Sequence, residues 1–255
     1  MWERRYGFPE PQRTPSGHRR YSEAQADVVA RVLALRSSGL SLPAAIARAQ
    51  APPDPETISL FATLRDSRAE LEPRTVRKPV LIALSRAIED EALARAEARV
   101  LFGCFQRESF YRSSEARWRE LSAAARVAAV LADFAQVAEP ENRPAEVPIG
   151  RRQQISREWA IVLYGGRSSV CMVARELASS NVDAATRERS FELLWTVDPE
   201  AVRALARACV AVLRDRLPDL AASAEPALAL ESTAVPAELV RLTTAIVNRT
   251  LSELS

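Results

Sequence analysis

WERRYGFPEPQRTPSGHRRY, residues 2–21, sets Arg4, Arg5, Arg13, Arg19, Arg20 and His18 around a Pro15-Ser16-Gly17 turn. A helical run ends before the turn, and Ser22 with Gln25 makes a capping-box start after it, so the donors should sit on a tight scaffold. Residues 1–21 hold five arginines and two glutamates, a net of +3 in a chain whose formal charge is +2, and the remainder therefore sums to −1. That asymmetry confines any nucleic-acid footprint to this end. A guanidinium suits phosphate because its planar fork donates two parallel hydrogen bonds and keeps its charge. Tyr6 and Tyr21 can stack or donate to phosphate oxygens. Composition alone fits a solvated basic end without function equally well; the residue order adds to it.

WERRYGFPEPQRTPSGHRRYSEAQ resembles the end of the recognition helix and the wing of the MerR family of bacterial transcription regulators, over about the first fifth of the chain. The resemblance implies that Arg4, Arg5, Tyr6, Arg13, Thr14, Ser16, Gly17, His18, Arg19, Arg20 and Tyr21 form the DNA-contacting set, the turn from Thr14 to Gly17 adding backbone donors. It also implies two buttressing helices behind the wing. The family opens with a first helix and most of a recognition helix, whereas Met1 stands here at the middle of the latter. The expectation is a remnant in which the major-groove reading surface is largely missing and a phosphate-contacting wing remains.

The chain has 255 residues, 47% hydrophobic and 27% charged, enough for one large domain and a small one. No apolar run approaches the roughly 18 residues of a membrane span, and no signal-peptide pattern opens the chain, so a cytoplasmic protein is expected. Cys104, Cys171 and Cys209 lie far apart in apolar segments without Cys-x-x-Cys spacing and read as packing residues. Lys78 is the only lysine among 35 basic residues.

After the wing, Val28, Val29, Val32, Leu33 and Leu35 form a helical stripe closed by Gly39, and Ser41 starts a second short helix that ends by Pro52-Pro53. Pro52-Pro53-Asp54-Pro55 is the strongest domain boundary and is expected to act as a hinge. Ile58, Leu60, Phe61 and Leu64 then sustain a short helix, without heptads for a coiled coil. Next come a helix over 80–98, a strand over 99–105, a helix over 113–125, a strand over 127–134 and a proline-rich loop with Pro140, Pro144 and Pro148. A hairpin over 159–164 and 170–174 turns at Gly165-Gly166-Arg167-Ser168. Asp198-Pro199-Glu200 opens a helix to about Leu217 by the N-cap and Pro-at-N1 rule. A linker over 218–236 and a last helix over 237–254 complete the chain. The fold class is α+β or α/β: a small helical winged-helix remnant, then a mixed-sheet α/β sensory domain.

The second region, about 58–215, resembles the DICT sensory domain through Ala87-Ile88-Glu89-Asp90-Glu91, Phe105-Gln106-Arg107-Glu108-Ser109-Phe110-Tyr111, Arg117-Trp118-Arg119-Glu120-Leu121, Ala132-Asp133-Phe134, Arg157-Glu158-Trp159-Ala160 and the stretch from Phe191 to Asp198. The resemblance implies a signal or ligand sensor. Arginines recur beside aromatics there, so Phe105, Arg107, Tyr111, Arg117, Trp118, Arg157 and Trp159 are the candidate ligand-pocket residues. The competing reading makes the aromatics core and the charges solvent-facing or paired.

No catalytic residues are expected. His18 is the single histidine and lies far from any nucleophile-elbow motif, and neither GxGxxG nor a P-loop occurs. Glu89, Asp90 and Glu91 diverge by about 100° per residue on a helix and cannot share one metal, so no metal or cofactor is expected. The domain reading is 1–52 MerR-like DNA-binding remnant, 53–217 DICT-like sensor, and 218–255 linker and C-terminal helix. The functional reading is a MerR-type regulator whose DNA-binding end is controlled by the sensor. The alternative is a non-DNA-binding interaction module with a vestigial basic end, working through a last helix striped by Leu239, Leu242, Ile246 and Leu254. Double-stranded DNA is the expected partner, a small-molecule or signal ligand and a second copy of the chain are further candidates, and no membrane partner is expected.

Overall fold

The structure, a computed structural model, describes residues 2–14, 16, 18–21, 23–37, 39–50, 56–95, 97–177 and 189–255. It divides into two units, Met1–Pro53 and Asp54–Ser255. The proposed hinge from Pro52 to Pro55 lies outside the described residues, as do Ser22, Pro15, Gly17 and the side chain of Arg13.

In the first unit, α1 (Trp2–Tyr6) leads into a hairpin of β1 (Gln12–Arg13) and β2 (Arg19–Arg20), followed by α2 (Glu23–Ser37) and α3 (Leu42–Gln50). The hairpin pairs Gln12 with Arg20 and Arg13 with Arg19, and the Thr14 N–H donates to the His18 carbonyl at 2.9 Å. Gly39, at φ +98°, takes the left-handed conformation that ends α2. Ser41 caps α3 by accepting from the Ala44 amide at 3.4 Å. Phe8, Val32, Ala45, Ile46 and Ala49 form a small core, with Trp2 and Tyr6 packed against it.

The second unit is a seven-stranded mixed sheet covered on both faces. Its strands are β3 (Arg74–Arg77), β4 (Ala98–Cys104), β5 (Val127–Ala132), β6 (Ala145–Pro148), β7 (Glu158–Gly165), β8 (Ser169–Glu176) and β9 (Ser190–Thr196). The order is β3-β9-β8-β7-β4-β5-β6, antiparallel from β3 to β4 and parallel from β4 to β6. Alternation along the strands feeds two cores. Val100, Phe102, Val162 and Val173 pack with α4 (Leu60–Ser67), α8 (Pro199–Leu213) and α9 (Pro218–Ala229). Leu101, Ile161, Leu163 and Met172 pack with α5 (Lys78–Arg95), α6 (Glu108–Arg112), α7 (Glu115–Ala123) and α10 (Pro236–Leu254).

Local signals explain the helix starts. The Asp198 carboxylate accepts from the Ala201 amide at 2.9 Å and Pro199 occupies the first turn of α8. Buried Glu158 closes the N-terminus of α4, accepting from Ser59 Oγ at 2.5 Å and from the Leu60 and Phe61 amides at 2.8 and 3.3 Å. Burial pushes its carboxyl pKa up despite those donors.

The expected linker over 218–236 is corrected: residues Pro218–Ala229 are helical, with Ala221, Ala224, Ala227 and Leu228 buried. Pro218 sits at a helix start rather than breaking one, and small side chains at three- and four-residue spacing let the helix lie against the sheet. The proline-rich loop likewise contains β6, an edge strand ending at Pro148, where proline costs no ladder bond on the open side. Residues 113–125 hold α7 alone, and α6 precedes it as a separate turn.

Candidate functional site

The basic residues of the first unit lie on α1 and the hairpin. Arg4, Arg5, His18, Arg19, Arg20 and Tyr21 are exposed, while Tyr6 is half-buried with the Arg5 guanidinium 5.6 Å from its ring centroid. Arg19 Nε donates to Glu3 Oε2 at 2.9 Å, which ties β2 to α1. Thr14 Oγ1 accepts from the His18 amide at 3.1 Å and lies 2.9 Å from Ser16 Oγ, so the turn is braced from within. Arg4 and Arg20 have no carboxylate partner among the described residues. The Gln25 side-chain amide donates to the Glu10 carbonyl, a tie between the hairpin entry and α2; the expected capping box with Ser22 lies outside the described residues.

The second unit carries a cleft of about 630 Å³ beside α5. Phe105, Phe110, Trp159 and Phe191 are its aromatic lining, and its charged lining is Lys78, Arg86, Arg117 and Arg189 with Glu89, Asp90 and Glu253. Three of the seven expected pocket residues line it: Phe105, Arg117 and Trp159. Tyr111 and Trp118 do not; both are fully buried behind Phe105, edge to face with it at 5.6 and 5.5 Å. Arg107 and Arg157 are exposed outside it, Arg157 contributing only a carbonyl that accepts from Gln106 at 3.0 Å. Lys78, Gln106, Phe110, Arg189 and Phe191 also line the cleft, outside the expected set; Gln106, Phe110 and Phe191 lie in stretches that carry the DICT resemblance, and Lys78 is marked only as the sole lysine.

The charges are mostly spoken for. Arg117 Nε lies 2.5 Å from Glu89 Oε2 and its Nη2 meets Asp90. Glu89 also accepts from Trp118 Nε1 at 3.2 Å, yet burial outweighs these partners and holds its carboxyl pKa above the ordinary range. Arg86 meets Glu253 at 3.4 Å, and Arg189 binds Glu176 together with Gln106 Oε1 at 3.0 Å. Glu91 turns to Arg249 and Arg95 at 2.8 and 3.2 Å, so the acidic trio on α5 spreads among three arginines. Among the described residues no group of acidic, histidine or cysteine side chains could hold a metal. Lys78 Nζ lies 5.4 Å from the Phe110 ring centroid and has no carboxylate within ion-pair distance among the described residues.

Residues 1–51 match the family model of the MerR HTH family regulatory protein. Residues 58–177 match DICT, the sensory domain in diguanylate cyclases and two-component systems. The chain thus carries a MerR-type helix-turn-helix match at its start and a DICT sensory-domain match after it, and neither matched family is catalytic. No curated protein and no solved structure matches it. The DICT match ends at residue 177 rather than near 215, so β9, α8, α9 and α10 complete the sheet and its cover from beyond the matched part. Among the described residues no helix is long and apolar enough to cross a membrane.

Proposed function

We propose that this regulator grips double-stranded DNA through its basic end, residues 1–52, and that the sensory domain beginning at residue 53 sets the strength of that grip. The observation carrying this reading is the exposed set Arg4, Arg5, Arg19 and Arg20 on α1 and the hairpin, with Arg4 and Arg20 free of carboxylates among the described residues. Free guanidiniums neutralise phosphates and release counterions, so affinity falls steeply with salt. Thr14, Ser16, His18 and Tyr21 would supply further donors around the turn, and the MerR resemblance adds Arg13 and Gly17, whose side chain and placement respectively lie outside the described residues. Control by a signal requires that it bind two conformations with different affinity. The test is anisotropy-detected binding of duplex DNA, the chain's own upstream promoter against random sequence, across salt. Promoter preference with a steep salt slope supports the regulator. Absence of binding at low salt overturns it.

A second reading, a protein-interaction module, is favoured by one observation on α10. Its buried side carries Leu242 and Ile246, yet Val240, Val247, Leu251 and Leu254 are exposed along its other side. Such a stripe suits a partner helix or a second copy of the chain. Sedimentation of the full chain, with a mass rising with concentration and falling back in Leu251→Glu, would place a homodimer there.

A further inference from the structure

We infer that the cleft beside α5 binds a small organic anion, a flat apolar body bearing one acidic group, with the ammonium of Lys78 as its counter-ion. This rests on the sensory reading of the DICT domain and adds the chemical class of what is sensed. At about 630 Å³ the cleft lies within the range of roughly 300–1,000 Å³ that encloses small ligands. Phe110 and Trp159 offer exposed ring surface to a planar body, over a floor that buried Phe105 and Phe191 back.

The charge accounting selects the head group. Glu89 and Asp90 are taken by Arg117, Glu253 by Arg86, and Arg189 is drawn to Glu176 outside the cleft. Among the described residues one ionic group of the lining remains without an ion-pair partner, Lys78, half-buried and 5.4 Å from the Phe110 ring centroid. A cationic ligand would meet that ammonium with no spare carboxylate to offset it. A neutral ligand would shield it from water without a partner, which is costly. An anion satisfies it, and the N-terminal end of α5, which Lys78 opens, adds favourable potential for negative charge. A compact ammonium on a flexible stem can follow an acidic group of varied position, whereas Arg117 and Arg189 are held in forked pairs.

The test uses the full chain and three probes with one ring system: 2-naphthoate, neutral naphthalene-2-methanol and cationic 2-naphthylmethylammonium, each titrated by calorimetry. We expect naphthoate to bind at one per chain, at least about tenfold tighter than the alcohol, the difference a charge-assisted hydrogen bond makes. Lys78→Gln should weaken naphthoate by about the same factor and leave the alcohol unchanged, which also shows that the cleft stays folded; Lys78→Arg should restore most of the loss. Because Lys78 is the only lysine, 13C-methylation followed by NMR should place the naphthoate-dependent shift on that side chain. Alcohol or ammonium binding as tightly as naphthoate overturns the anion while keeping the cleft a ligand site. An unchanged naphthoate affinity in Lys78→Gln overturns the role of Lys78, and no binding of any probe overturns the inference whole. The sensory reading fails separately: naphthoate bound through Lys78 with an unaltered DNA isotherm supports the ligand class and removes the control.

Discussion

Gly103→Ala is the sharpest probe of how the sheet sets the cleft wall. Gly103 lies in β4, between Ile161 of β7 and Val130 of β5, and its backbone is not in the left-handed region, so space rather than conformational freedom requires glycine. A Cβ there would lie 2.9 Å from both Trp118 Cζ2 and Cζ3, and nearer still to Cη2. The indole has nowhere to retreat: it is fully buried, tied to Glu89 at 3.2 Å and stacked edge-on against Phe105. Overpacking of a fixed core ring costs about 3 kcal/mol, the upper part of the usual range, and the stiffer unfolded chain returns less than about 1 kcal/mol. The net of about 2 kcal/mol corresponds to a drop in Tm of roughly 4–8 °C for a unit of this size.

Scanning calorimetry with parallel urea unfolding, read by tryptophan fluorescence, measures it. A Tm within about 1 °C of the parent would refute the argument that Trp118 is immobile over β4. The double variant Gly103→Ala, Trp118→Phe closes the cycle. Phenylalanine lacks the ring atoms that collide, so the pair should be less destabilised than the sum of its singles by at least about 1 kcal/mol.

Arg112→Ala should cost about 1–3 kcal/mol in urea unfolding, because Arg112, itself exposed, binds both carboxylate oxygens of buried Glu146 at 2.6 Å and its loss leaves that carboxylate without them; adding Glu146→Gln should recover much of the loss. Asp198→Ala removes the α8 cap and the partner of Arg68 at 2.6 Å, for about 1 kcal/mol at neutral pH. Burial pushes the Asp198 carboxyl up, but Arg68 and the Ala201 amide outweigh it and hold its pKa below the ordinary value. A depressed folded pKa gives stability that is present above about pH 4 and lost as pH falls through the folded value, so the variant's deficit should shrink on acidification, as chemical denaturation at successive pH values would show.

The parts legible in the sequence are those with short-range causes. Asp198-Pro199 announces α8 because cap and first turn lie within four consecutive residues, Asp198 to Ala201, and the turn at Gly165-Gly166 joins β7 and β8 where the apolar runs predict a hairpin. Central strands β4, β5 and β7 read as apolar runs because both faces are covered. The edge strands do not: β3 is Arg-Thr-Val-Arg, largely exposed, and it is a strand because β9, more than a hundred residues later, pairs with it. The cleft follows the same rule. Phe105, Arg117 and Trp159 stand out as aromatic and cationic neighbours in sequence, but nothing local distinguishes Phe105, which faces the cleft, from Trp118, which fills the layer behind it. Lys78 and Arg189 meet there only because β3 and β9 are paired, and the Lys78 amide donates to the Arg189 carbonyl at 3.3 Å.

The two sheet faces divide the labour. On the α8 side Cys104, Cys171 and Cys209 are fully buried, and burial raises all three thiol pKa values, which keeps them protonated within a dry core. The α5 side is held more lightly, by charges that are shared. Asp90 faces both Arg117 at the cleft and Arg249 of α10, Arg249 also holds Glu91, and Arg86 at the rim meets Glu253 near the end of α10. Half-exposed pairs of this kind are worth about 1 kcal/mol or less each, so repartnering one is cheap. A bound anion at Lys78 that drew Arg86 off its single 3.4 Å contact with Glu253 would loosen one tie between α5 and the end of α10, a change of about 1 kcal/mol that reaches the low end of a typical allosteric coupling. The element that would respond is also the one with an exposed apolar stripe, so a ligand in the cleft would be felt at the surface of this domain through α10.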